Sequence, residues 1–120
     1  LPSKRPITRL RDIEENIKLI FGYASGLNLE SFERNKLVRD AVERCLSRIS
    51  EAASKLGAFA EDRLPNHDWR SIRDFGNILR HEYERVDAEV VWKILTERLP
   101  SLLTEVESFV LPFPDGEETI

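Results

Sequence analysis

From residue 34 to residue 60 the apolar side chains Val38, Val42, Cys45, Ile49, Ala52 and Leu56 return at alternating intervals of four and three. That heptad rhythm predicts one long helix with a continuous apolar stripe, which only other helices or a partner can cover. Ala41, Leu46, Ala53 and Phe59 widen the stripe, so the expected partner is a bundle core rather than a narrow coiled-coil seam. At Ala52 and Ala53 the stripe is thin, and a neighbouring helix can come close.

The remaining chain supplies such neighbours. Residues 1–6 form a short basic arm, expected to be loose. Leu10, Ile13, Ile17, Ile20 and Ala24 mark a first helix over about 7–24, with Gly26 as its stop. Asn28 is placed to cap a short turn over 29–32. After the long helix, Pro65 marks a loop over 63–68, and Asp68 is a suitable N-cap for a helix over 69–83. Asp87 then caps a last helix over 88–110, with Val91, Leu95, Leu99, Leu102, Val106 and Phe109 inward. Pro100 lies inside it and should kink the helix or restart it at Ser101, since proline lacks the N–H and crowds the preceding turn. The fold class is all-α: an up-and-down four-helix bundle domain over 7–110, with one long second helix and a short extra turn before it. The tail, 111–120, has two prolines and three acids and is expected to be poorly ordered.

At 120 residues this is one domain, and 33% charged against 41% hydrophobic residues is the balance of amphipathic helices with solvated outer faces. No apolar run approaches the length of a membrane span and no charged-then-apolar leader is present, so a soluble, cytoplasmic protein is expected. The single cysteine, Cys45, falls on the core stripe and reads as a small buried hydrophobe. A net charge of -4 argues against a general binder of phosphate backbones. His67 sits in the loop as an exposed histidine; with no cluster at ligand spacing, neither a metal nor a cofactor is expected.

One stretch gathers groups able to do chemistry. On the helix over 69–83, Ile72, Phe75, Leu79 and Tyr83 face the core, while Arg70, Arg73, Asn77, Arg80 and His81 share a sector of roughly 100° on the opposite flank. The segment carries one positive charge in excess within an acidic chain, so any RNA contact through Arg70, Arg73 and Arg80 is local. A plain solvated face, with Arg70 paired to Asp74 and Arg80 to Glu84, is the competing reading.

His81-Glu82-Tyr83 resembles the His-x-Tyr signature of HepT-like proteins, which belong to the HEPN superfamily of small helical ribonucleases. Asn77 sits where that family's Arg-Asn-x-x-x-His motif has its Asn. The flanks around Trp69, Val86-Asp87, Val91-Trp92 and Leu99-Pro100 are similar to the family pattern, over roughly residues 7–110. At the position of the motif Arg, five residues before the histidine, this chain has Gly76.

The resemblance implies metal-independent RNA cleavage by a homodimer. Such cleavage needs a base for the 2′-hydroxyl, an acid for the leaving oxygen and a cation for the phosphate. Two His81 residues across a dimer cleft would supply acid and base, with Asn77 beside them and Arg80 or Arg73 as the relocated cation. A glycine inside a helix costs about 1 kcal/mol relative to alanine, so Gly76 points to close approach of another backbone, that of the dimer partner or of helix two. The resemblance also implies a partner: a small nucleotidyltransferase antitoxin that transfers AMP to the tyrosine, here Tyr83. The alternative is a weakly active or inactive HEPN-type binding or interaction module.

Overall fold

The computed structural model describes residues 4–81 and 88–118, with only the backbone at 77, 78, 80 and 81. Among these residues every regular element is helical. In order they are α1 (Pro6–Ala24), α2 (Leu29–Arg34), α3 (Lys36–Leu56), α4 (Ala58–Arg63), α5 (Trp69–His81), α6 (Ala88–Lys93), a π-helical turn over Ile94–Arg98, and α7 (Leu99–Val110). None of them is long and apolar enough to cross a membrane.

The local signals for helix starts act as expected. Asn28 accepts from Ser31 N at 2.9 Å while Ser31 Oγ accepts from Asn28 N at 2.9 Å, a reciprocal cap on α2. Asn35 caps α3 through Val38 N at 3.0 Å, and Asp68 caps α5 through Ser71 N at 3.1 Å. The expected cap by Asp87 lies outside the described residues. The α1 stripe from Leu10 to Ala24 and the α3 stripe from Val42 to Leu56 are buried against each other, with Cys45 among them, and burial raises the Cys45 thiol above its usual pKa.

The long second helix is not continuous. Gly57, with φ 56°, ends α3, and α4 starts directly after it. The apolar rhythm runs through this point, but the chain bends where a residue without Cβ can take the left-handed conformation. The helix restarts at Leu99, two residues before the expected Ser101. The Leu99 N–H reaches back to Ile94 O in a wide π turn, and α7 then carries proline in its first turn, where a missing N–H is tolerated. Trp92 is half-buried and packs against the core, its ring 5.2 Å from that of Phe32.

α1 packs on α3 and α7, and α3 packs on α5. The tail beyond α7, expected to be poorly ordered, has a specific seat as far as it is described. Arg11 donates to Val110 O at 3.3 Å and to Phe113 O, and Glu118 accepts from Ile7 N at 2.8 Å, from Thr8 N at 2.9 Å and from the Thr8 hydroxyl. Its carboxylate thereby caps α1, whose own flank at Arg5 offers no capping side chain.

Candidate active site on the motif helix

α5 is anchored at its start by Trp69, which is buried and donates from Nε1 to Leu64 O at 2.7 Å. His67 is not the exposed histidine expected from its loop. Only 10% of its side chain is accessible, its Nε2 lies 2.6 Å from Glu105 Oε2 on α7, and its ring meets the edge of Trp69. Ile72 and Phe75 continue the buried side, and Leu79 is half-buried.

Around the axis from this stripe, α5 meets α3. Gly76 is buried there and its N–H donates to Ser50 Oγ at 2.9 Å, while the Ser50 hydroxyl donates to Arg73 O at 2.5 Å. Of the two partners that sequence allowed for this glycine, α3 is therefore one that comes close. Sequence patterning gave no sign of Ser50, a buried polar residue inside an apolar stripe.

Arg73 turns toward the corner between α3 and α4. Its guanidinium grips Glu61 with two bonds, of 2.9 and 2.6 Å, and also donates to Gly57 O at 3.0 Å and Ala53 O at 3.3 Å. The hydrogen bonds from Arg73 hold the Glu61 carboxyl below its usual range, and the same pairing raises Arg73. The side chain thus caps the Ala53 carbonyl in the last turn of α3, adds a second donor to the Gly57 carbonyl, which also accepts from Ala60 N at 3.2 Å, and closes the bend at Gly57.

The outward side of α5 begins with Arg70 and Asp74, both exposed and not paired to each other. Helical geometry carries Asn77 and His81 onto the same line, seven and eleven residues after Arg70, because α5 is helical through His81. Arg80 lies two turns after Arg73 on the same helix. The side chains of Asn77, Arg80 and His81, the whole of Tyr83 and the expected Arg80–Glu84 pair lie outside the described residues. One cation beside α5 escaped the sequence reading: Arg98, from the π turn, donates to Ser71 Oγ at 3.1 Å and lies over the Phe75 ring at 5.6 Å. Among the described residues no group of three or more His, Cys, Asp or Glu side chains is placed to hold a metal ion.

Residues 13–109 match the ribonuclease HepT-like family. The chain belongs to that family. Among its relatives, a protein of Methanocaldococcus jannaschii provisionally named an RNase is 33% identical over 106 residues, 88% of this chain and 97% of the relative. A Thermococcus cleftensis protein with the name "Probable ribonuclease HepT" is 34% identical over 98 residues, 82% of this chain and 89% of the relative. No solved structure gives a significant match. In this HepT-like chain α5 begins at Trp69, with Asp68 as its cap, and is described through His81.

Proposed function

We propose that this HepT-like protein is an endoribonuclease toxin that cleaves RNA without a metal, as a homodimer in which His81 of each subunit faces a common cleft. The observation that carries the reading is α5 itself, helical from Trp69 through His81 with Arg70 exposed at its start, within a chain of the ribonuclease HepT-like family. One His81 takes the proton of the attacking 2′-hydroxyl and the other protonates the departing 5′-oxygen, while Arg80 and Arg70 meet the charge on phosphate. Arg73 is the weaker choice for that cation, since its donors are committed to Glu61 and to α3 carbonyls.

Silencing follows from the same geometry of charge. A cognate nucleotidyltransferase antitoxin that places AMP on Tyr83 would add a phosphodiester two residues from His81, competing with RNA for the nearby cations.

Gly76 supports a second reading, a helical module that binds without cutting. The motif Arg is absent, and the position is buried against Ser50. Incubating the purified protein with RNA, with and without EDTA and beside His81→Ala, separates the two. Cleavage that survives EDTA and disappears in His81→Ala supports the nuclease; intact RNA in every lane supports the binding module.

A further inference from the structure

α3 and α5 run antiparallel in a fixed register. Arg73 reaches Ala53 O and the Gly76 N–H reaches Ser50 Oγ, so α5 advances three residues as α3 goes back three. Ser50 marks the side of α3 turned to α5. Positions seven and eleven residues before it return to within about 20° of its direction, and these are Glu43 and Arg39. At a rise of 1.5 Å per residue, His81 stands about 7.5 Å past Gly76, while Glu43 and Arg39 stand about 10.5 and 16.5 Å past Ser50 the same way. The side of α3 that meets α5 therefore continues beyond the last described turn of α5, and it carries charge there.

Both residues are half-buried, and neither side chain has a hydrogen bond or an ion pair among the described residues. Arg39 Nε is shielded from solvent without a partner, so the stem is packed, while the two terminal nitrogens are not among the shielded atoms. Burial, with Asp40 adding to it, raises the Glu43 carboxyl above its usual pKa, and Arg39 and Lys36 oppose the rise. Arg39 is thus close enough to be felt by Glu43 and is still not bonded to it. A half-sunk guanidinium is ordinarily hydrogen-bonded, as the neighbouring ones are. Arg73 is spent on Glu61, Ala53 and Gly57, and Arg98 on Ser71 and the Phe75 ring. Arg39 keeps its fork free on a stem that packing already holds, which suits a phosphate oxygen. Its offset of about 9 Å beyond His81 along the axes sets it apart from a phosphate reacting at His81 and fits the next one along a strand.

We propose that Arg39 holds an RNA phosphate adjacent to the scissile one, so that α3 extends the cleavage site of α5 into a track of at least two phosphates. The proposal rests on the reading of α5 as the RNA-cleaving helix. It adds a substrate contact from another helix, on the side of the cleft that Gly76 leaves without the motif guanidinium.

The test has a binding arm and a cleavage arm. In the first, a 2′-O-methyl oligoribonucleotide, which lacks the nucleophile, is titrated at several salt concentrations into the intact protein, Arg39→Ala, Glu43→Gln and Arg48→Ala. Arg39→Ala is expected to weaken binding about tenfold and to flatten the dependence of log affinity on log salt by about 0.7, the loss of one single-strand phosphate contact. Glu43→Gln should bind as tightly as the parent or more tightly, since a negative charge beside the phosphate is gone. Exposed Arg48 leaves α3 about 160° around from Ser50, and its variant should bind like the parent. In the second arm, an oligonucleotide with one cleavable ribose is compared with versions carrying a neutral methylphosphonate on one side or the other of the scissile phosphate. Neutralising one of the two should slow the parent about tenfold and leave Arg39→Ala unaffected, which also identifies the side on which the phosphate lies.

Arg39→Ala that binds and cleaves like the parent overturns the proposal and leaves the nuclease reading of α5 standing. A protein that cuts nothing yet shows the expected binding loss and salt slope in Arg39→Ala keeps the α3 contact and loses the nuclease reading. No binding by the parent overturns the proposal. A loss of stability in urea with the salt slope unchanged also overturns it, because Arg39 is then structural.

Discussion

The Ser50 hydroxyl bridges α3 to α5 by accepting from the Gly76 N–H at 2.9 Å and donating to Arg73 O at 2.5 Å. Position 76 therefore has a neighbour with a side chain of its own. Gly76→Arg, which restores the family's motif residue, is expected to destabilise the fold by about 1–3 kcal/mol through overpacking. The loss should shrink in a Ser50→Ala background, so urea denaturation of the two single variants and the double variant should reveal coupling of about 0.5 kcal/mol or more. Additive losses would mean that the two positions do not share space.

Arg73 and Arg80 stand two turns apart on α5 and are expected to behave differently. Arg73→Ala is expected to lower stability by about 1–2 kcal/mol, since it frees the Ala53 carbonyl and removes one of the two donors to Gly57 O, with the half-exposed Glu61 pair discounted for screening. Its RNA cleavage per folded molecule should stay close to the parent's. Arg80→Ala should do the reverse, cutting cleavage rate more than stability. Equal, near-normal rates in both variants would remove Arg80 as the relocated cation.

The tail should be sensitive to acid. Burial alone would raise the Glu118 carboxyl, but hydrogen bonds from Thr8 and Ile7, with Arg5 close by, outweigh it and lower the pKa. A carboxyl lowered in the folded state stabilises it above the ordinary value of 4.5, and that contribution fades as pH falls through the lower, folded value. Amide hydrogen exchange at Ile7 and Thr8 should accelerate at acidic pH relative to the intrinsic rate. In Glu118→Gln, exchange there should be faster at neutral pH and should lose most of this pH dependence.

The His67–Glu105 contact ties the loop before α5 to α7. His67→Ala is expected to cost about 1–2 kcal/mol and to change Trp69 fluorescence, because the imidazole packs on the indole edge. RNA cleavage by the folded variant should be unchanged. A large loss of activity without a loss of stability would place His67 in the chemistry instead.

What the sequence made legible here was local. Asn28 and Asp68 announce α2 and α5 because a cap acts within three residues, and the stripes of α1, α3 and α7 are periodic by construction. The bend at Gly57 was hidden, since Phe59 keeps the apolar rhythm going and one glycine does not say whether it will turn. Tertiary partners were hidden too. Glu118 lies 111 residues from Ile7, and His67 finds an acid 38 residues away. At the site, the buried stripe of α5 at Ile72 and Phe75 and the exposure of Arg70 could be read directly. The commitment of Arg73 could not, because it depends on Glu61, which is brought there by the unforeseen bend.

The wide turn over Ile94–Arg98 has a consequence for the last stretch of helix. Val91, Leu95 and Leu99 are spaced by four, and on a regular α-helix each such step advances the side chain about 40° around the axis. A π turn takes more residues per revolution and absorbs that drift. All three are buried, and Leu102, Val106 and Val110 then continue the same seam. The turn thus adjusts the phase between α6, which keeps Trp92 on Phe32, and α7, which packs its apolar side on α1.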